Sequence, residues 1–258
     1  MANARNAKSA REKAAEMRAD TERTATRNRT IVAGLAVILV IVLAAFGTWG
    51  FRTLSDQKKA SDAAKVAPPA NVYTGVSKVG GGLLVGKGGA KVTVDIYEDF
   101  MCPICKEFEV ADGPILRKYA TDGKINLVYH PVAILDRASA GTRYSTRSAN
   151  LMAAVLNSSP GSALALHDFL FENQPQEGGQ GLPDEALLAL AEKIGVKQDL
   201  IAANVKSLRF EGWVTTTTDK FTKVFPPGGT PTVAIDGQVF KDLEPAKLTA
   251  ALDAAVKK

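Results

Sequence analysis

The sequence predicts an α/β domain carried behind a single membrane-spanning helix. Three observations lead there. An uncharged run of 21 residues extends from Ile31 to Phe51. After about residue 90 the hydrophobic periods run strand, helix, strand, a long helical block, then a hairpin and a closing helix. The only two cysteines of the 258-residue chain, Cys102 and Cys105, stand at the start of the first of those helices.

The N-terminal elements come first. Residues 1–30 form a polar, Ala-rich leader with eight Lys/Arg against four Asp/Glu. At ~1.5 Å per residue, Ile31–Phe51 spans a hydrocarbon core of ~30 Å, and Trp49 suits its interfacial end. The alternative is a cleaved signal peptide. The run exceeds the ~7–15 apolar residues of such a peptide and follows a long leader, so an uncleaved anchor is expected. The basic leader, with Arg27 and Arg29 close to the membrane, favours an N-terminus inside and a large domain outside the cytoplasm. Residues 52–70 are polar, end at Pro68-Pro69 and read as a tether. The folded domain is expected over 71–258.

Within that domain the net charge of +5 disappears, because residues 70–258 hold 20 basic and 21 acidic side chains. A nucleic-acid footprint needs clustered positive charge on the folded part, and none is present. "KVTVDIY", Lys91 to Tyr97, alternates and is β-branched, hence a strand. A shorter strand is expected at Leu83–Val85. Cys102 to Ala120 reads as one helix bent at Gly113-Pro114. "KINLVYHPV", Lys124 to Val132, is another strand. About 142–224 is mostly helical and ends in a single long segment from Gln198. "TPTVAIDGQVFKD", Thr230 to Asp242, is a hairpin turning at Asp236-Gly237, and a helix with Pro245 in its first turn closes the chain.

The cysteines carry the chemistry. With Cys102 at the helix N-cap, Pro103 falls at N1, where its missing N–H costs nothing, and Cys105 at N3, one turn on. Free N–H groups and the positive end of the helix favour a thiolate at Cys102. The pattern describes a reactive, exposed first sulfur and a shielded second one, which suits thiol–disulfide exchange. Tetrahedral zinc needs four ligands; there is no second cysteine pair, and His130 and His167 lack ligand spacing, so no metal is expected. A bridge across Pro103 and Ile104 closes almost no loop, which argues against a static staple. "GGLLVGKGG", Gly81 to Gly89, matches a segment of a phosphate-binding loop, but Gly88 stands where a Ser/Thr would hold magnesium and a strand follows instead of a helix.

A strand, C-P-x-C opening a helix, and a distant Thr-Pro before a hairpin resemble the thioredoxin fold. More narrowly, "VGKGGAKVTVDIYEDFMCPICKEFE" and "GTPTVAIDG" are similar to the DsbA-like extracytoplasmic thiol oxidoreductases, and the helical block at 142–224 to their helical insertion. The resemblance covers roughly Gly75 to the end. It implies a thioredoxin-like α/β fold with a helical insertion, Cys102 as attacking thiolate, Cys105 as resolving thiol, and Pro231 as a cis-proline with Thr230 offering backbone to the substrate. It further implies a monomer that needs no cofactor and oxidises reduced secreted or membrane proteins. Its reoxidant would be a quinone-linked membrane partner of the DsbB or vitamin K epoxide reductase type. Many relatives carry an acid six positions before the first cysteine; here Ile96 stands there, with Asp95 on the opposite strand face. Glu98 and Asp99, nearer the motif, and Asp95 are the candidates for proton transfer, and His130 only if it lies near the motif. A reductase or isomerase of the same fold, and a tethered binding module using the "FENQPQEGGQGLPDE" loop, are the alternatives.

Overall fold

The computed structural model describes residues 81–257, together with Pro69 and Asn71. The expected leader, anchor and most of the tether lie outside these residues. No helix among the described residues is long and apolar enough to cross a membrane.

Five strands form one mixed sheet. They are β1 (Leu83–Val85), β2 (Val92–Glu98), β3 (Ile125–Pro131), β4 (Thr232–Ile235) and β5 (Gln238–Phe240), in the order β1-β3-β2-β4-β5. The central pair β2 and β3 is parallel, and every residue of both is buried. That fits strands covered on two faces, which need apolar or paired side chains throughout. β4 runs antiparallel to β2, with Tyr97 opposite Thr232. The β4–β5 hairpin turns at Asp236 and Gly237, both at positive φ (50° and 76°), as a tight two-residue turn requires. Asp236 also exchanges hydrogen bonds of 2.8 Å with the backbone of Thr93, pinning the hairpin to β2.

The segment after the cysteines is two helices, not one bent helix. They are α1 (Pro103–Ala111) and α2 (Gly113–Thr121), joined at Asp112. Pro114 has no N–H to give to residue 110 and its ring crowds that carbonyl, so the helix restarts with the proline in its first turn. A Cβ at Gly113 would sit 2.8 Å from Glu109 Oε2, so a side chain there would displace the carboxyl end of Glu109.

The helical block contains α3 (Tyr144–Ser158), α4 (Ala163–Glu172), α5 (Asp184–Lys193), α6 (Gln198–Lys206) and α7 (Glu211–Val224). α3 is buried around nearly its whole circumference and packs against the other four, as an all-round buried helix must. The expected single long segment from Gln198 is broken between α6 and α7. Leu208 takes φ 50° there, and Asn150 on α3 accepts from the Phe210 N–H (2.8 Å) and donates to the Asn204 carbonyl (3.2 Å). A buried side chain from another helix supplies the partners the interrupted backbone needs. The closing helix is α8 (Pro245–Val256).

Strand alternation divides the sheet's burial. Val94, Ile96, Leu127 and Tyr129 belong to the larger core, with Cys105, Leu116, Leu166 and Leu248 from α1, α2, α4 and α8. Tyr97 points the other way, into a smaller cluster with Phe221 of α7 and Val132.

Candidate active site

The antiparallel pairing of β4 with β2 explains how residues 128 positions apart meet. With Thr232 opposite Tyr97, the residues just before β4 lie beside those just after β2. Thr230 therefore faces Cys102, and the Cys102 Sγ donates to the Thr230 carbonyl oxygen at 3.3 Å. The Thr230–Pro231 peptide is cis.

Cys102 is the N-cap residue of α1, with extended backbone (φ −77°, ψ 115°) and Pro103 next. Its N–H donates to the Asp99 carbonyl (2.9 Å), and its own carbonyl accepts from Cys105 N–H (3.1 Å). Gln174, in the loop after α4, reaches back and donates to the carbonyls of Cys102 (2.9 Å) and Phe100 (3.2 Å). The helical block thus braces the turn that presents the thiol.

Both cysteines are free thiols. The expectation of an exposed first sulfur needs correction: Cys102 is only 6% exposed and Cys105 is 0%. The Thr230 carbonyl covers the first sulfur, while the neighbouring Ile104 is 60% exposed. Chemically the two thiols are well separated. A hydrogen bond from the Cys105 thiol is the largest influence on Cys102 and stabilises its thiolate; burial opposes it. Further hydrogen bonds from the Thr230 side chain and from the N–H groups of Cys105 and Ile104 help, and the pKa falls to about 6. Those two N–H groups lie in the first turn of α1, where N–H groups point toward the N-cap. Burial pushes Cys105 well above the ordinary thiol value, reinforced by its hydrogen bond to Cys102 and by the nearby Cys102 and Glu98 charges.

The three candidate acids occupy three different settings. Asp95 faces away from the cysteines. Its Oδ1 lies 2.8 Å from His130 Nε2, and His130 stacks on Tyr97 at 4.6 Å in the smaller cluster. Asp95 and His130 are thus removed from proton transfer, because residues one apart on a strand point to opposite faces. Asp99 does lie beside the motif. Burial lifts its pKa to about 7, while hydrogen bonds from Ser145, Met101 N–H and Leu135 N–H pull it back. Its two oxygens each accept a backbone N–H at 2.9 Å, from Met101 and Leu135, so it organises the turn.

Glu98, the last residue of β2, points into the larger core, where Oε1 meets His167 Nε2 of α4 at 2.6 Å. The other ring nitrogen of His167 faces Asp168 at 3.1 Å. Burial alone would lower His167, but the Glu98 charge and hydrogen bonds to Asp168 and Glu98 override it, raising it to about 10. Glu109 of α1 completes the group. Its Oε2 accepts from Arg117 Nη2 (2.7 Å) and Tyr129 Oη (3.1 Å). One atom each of Glu98, Glu109 and His167 lie within 4.8 Å of one another. The cationic places beside these acids are filled by His167 and by Arg117, which also meets Asp168 at 2.7 Å.

Glu109, His167 and Gln174 were not picked out by sequence reasoning. Glu109 had a signal, its position four residues after Cys105 on one helix. His167 and Gln174 had none, because only the packing of the helical block brings them near the motif.

Against known proteins, a family model described as thioredoxin matches residues 78–254. The chain is similar to DsbA of Mycobacterium tuberculosis in its reduced form: 30% identity, 68% of this chain and 89% of that one covered, TM-score 0.56. It is similar to the reduced disulfide bond oxidoreductase DsbG of the same organism, at 31% identity over 68% and 85% of the two chains, TM-score 0.56. A curated relative, the serine/threonine-protein kinase PknE of M. tuberculosis, is 29% identical over 125 residues, 47% of this chain. The chain spans 22% of that kinase's length.

Proposed function

The chain belongs to the thioredoxin family and is a protein thiol:disulfide oxidoreductase of the DsbA/DsbG type, and from that premise we propose that it works as an oxidase outside the cytoplasm. The observation that carries this reading is the asymmetry of its two thiols. Cys102 is held as a thiolate at a helix start, with a pKa of about 6, and Cys105 is sealed beneath it as a neutral thiol.

In the disulfide form, a substrate thiolate attacks Cys102 Sγ. The Cys102–Cys105 bond breaks, a mixed disulfide forms at Cys102, and Cys105 leaves with the electron pair and takes a proton. A second substrate thiolate then attacks the substrate sulfur of the mixed disulfide. The substrate gains its disulfide and Cys102 departs as a thiolate. The low pKa of Cys102 makes it a good leaving group and stabilises the reduced protein, which makes the disulfide oxidising. The Thr230 carbonyl beside Cys102 is placed to meet the backbone of a substrate chain. Substrates are reduced secreted or membrane proteins, and the two electrons pass on to a quinone-linked membrane reoxidase.

The same reading includes Ile31–Phe51 as the membrane anchor, residues 52–70 as tether, and 71–258 as the exchange domain, acting as a monomer. The uncharged run and the basic leader before it support this.

Equilibrating the full chain, in detergent, with glutathione buffers tests the direction. An oxidase is expected at about −180 mV or above, and a reductase near about −270 mV. In the same preparation, Cys105→Ser should accumulate a mixed disulfide on Cys102 with a reduced unfolded protein. A couple at the lower potential would assign the chain to reduction.

A further inference from the structure

The Cys102 thiolate draws on backbone N–H groups, yet the carbonyl of the same residue claims one of them. The Cys105 N–H donates to the Cys102 carbonyl at 3.1 Å, and it also supports the charged Cys102 sulfur. One N–H cannot serve two acceptors at full strength. We propose that Gln174 is a positioning residue for the exchange reaction: its amide satisfies the Cys102 carbonyl, so that the Cys105 N–H turns to the Cys102 sulfur when Cys102 departs as a thiolate. The inference rests on the exchange reading above.

The geometry of the turn singles out that carbonyl. The peptide between Cys102 and Pro103 has no N–H, so only its carbonyl oxygen can fix it by hydrogen bonds. Three donors converge there: Gln174 Nε2 at 2.9 Å, the Cys105 N–H at 3.1 Å and the Lys106 N–H at 3.3 Å. A carbonyl has two lone pairs, so three donors are one more than it holds well. Gln174 makes the shortest of the three bonds, and with Lys106 it keeps the oxygen paired when the Cys105 N–H leaves. The peptide between Phe100 and Met101 is gripped at both ends. Gln174 donates to its carbonyl (3.2 Å), and its N–H donates to Asp99 Oδ1 (2.9 Å). Both partners of Gln174 are carbonyls, which only accept, so its NH2 group must face the turn.

The end of α4 holds this side chain in place. Asn173 closes α4 by donating to the Phe169 carbonyl (2.9 Å), and the Gln174 N–H donates to the Phe171 carbonyl (3.2 Å). Lys106 Nζ of α1 donates to the Glu172 carbonyl at 3.4 Å, which ties the last turn of α4 to α1. Pro175 follows and disfavours a helical backbone at Gln174. The helical block thus reaches the chemistry at Cys102 through its carbonyl.

Gln174 transfers no atom; it changes which acceptor the Cys105 N–H serves. Without the amide, the Cys102 carbonyl retains that N–H and the thiolate loses a donor. Cys102 is then a poorer leaving group and the disulfide a weaker oxidant. The titratable groups around the turn are Cys105 and Lys106 on α1, Glu98 at the end of β2 and Asp99 after it. Asp99 titrates near 7. All four remain when Gln174 is replaced, so their titration is common to the proteins compared.

The test compares the wild-type full chain in detergent with Gln174→Met, which keeps the length and lacks the donor. The Cys102 thiolate, followed by its ultraviolet absorbance, should titrate about one unit above the wild-type value of about 6. The equilibrium with glutathione should shift about tenfold toward the disulfide at about pH 8 and stay unshifted at about pH 5, because the donor matters only to the charged sulfur. Gln176→Ala, exposed in the same loop, should titrate as the wild type. Equal titrations of Gln174→Met and wild type would overturn the proposal. So would a shift as large at pH 5 as at pH 8, which would reduce Gln174 to a brace of the turn. If Gln174→Met does not fold, nitrogen-15 labelling of cysteine in the wild type decides, since the chain has two cysteine amides. The Cys105 amide proton must move downfield as Cys102 ionises, and its constancy would equally overturn the proposal. Failure of the exchange reading itself looks different: Cys102→Ser would then exchange thiols as fast as the wild type.

Discussion

The two faces of the central sheet each bury a carboxylate against a histidine, and they serve different ends. On one face Asp95 and His130 meet at 2.8 Å, with Tyr97 stacked on the imidazole and Phe221 of α7 stacked on Tyr97. On the other, Glu98 and His167 meet at 2.6 Å, but Asp168, Glu109 and Arg117 join them and a cavity reaches the group. The first pair is closed: the two side chains answer each other on the face of the sheet opposite Cys105, leaving His130 Nδ1 buried without a hydrogen-bond partner. The second is open: it has an odd number of charges, orphan oxygens, and Cys105 within its electrostatic reach. A buried ion pair adds little net stability over well-packed apolar residues, though removing one partner is costly. What separates the two pairs is therefore their connections rather than their burial.

The comparison can be broken on either face. The largest stability effect is expected at the closed pair. Asp95→Ala leaves His130 buried opposite a void and should cost about 3–5 kcal/mol in urea unfolding. The pH profile of thiol exchange should keep its shape. A changed profile would join Asp95 to the exchange chemistry and erase the distinction between the faces.

A smaller loss, about 2–3 kcal/mol, is expected for Glu98→Gln, because His167 keeps Asp168 as a partner. Here the pH signature sharpens the contrast. His167 has its folded pKa raised to about 10 from an ordinary value of 6.5. The stability it contributes is complete below about pH 6.5 and disappears as pH rises toward 10. Glu98→Gln removes the chief cause of that rise, so most of this pH dependence between 6.5 and 10 should vanish. Unfolding curves at about pH 6, 8 and 9.5 for both proteins check it. An unaltered dependence would mean that Glu98 does not hold the His167 charge.

Much of the fold was legible because its signals are local. Alternation located β2 and β3, Asp236-Gly237 the hairpin turn, and Pro103 the start of α1. The same alternation separates Asp95 from Glu98, since they stand three apart on one strand and so face opposite ways. The missed features depend on contacts between distant segments. The break between α6 and α7 lies at Leu208, which carries no turn signal, and is held by Asn150 some 60 residues away. His167 lies 69 positions from Glu98, and no spacing rule links them. The cover over Cys102 comes from a carbonyl 128 residues downstream. Hence the helix start correctly suggested a stabilised thiolate yet overstated its exposure. Glu109 was within reach of sequence reasoning, for an acid one turn after Cys105 shares its buried helix face.

One asymmetry is central to the oxidase reading, a thiolate at Cys102 that exists only after the disulfide opens. Its folded pKa, about 6, lies below its ordinary value of 9.0. The stability it adds to the reduced protein is thus complete above about pH 9, shrinks as pH falls, and is gone below about pH 6. At pH 7 it is on the order of 1 kcal/mol. Calorimetric melts of the oxidised and reduced full chain in detergent, at about pH 5.5, 7 and 8.5, measure it directly. The reduced form should melt higher at pH 7, and its advantage should grow toward pH 8.5 and shrink toward pH 5.5. An oxidised form that melts higher at pH 7 and 8.5 would mean that the disulfide is a staple or belongs to a reductant, and would contradict the oxidase reading.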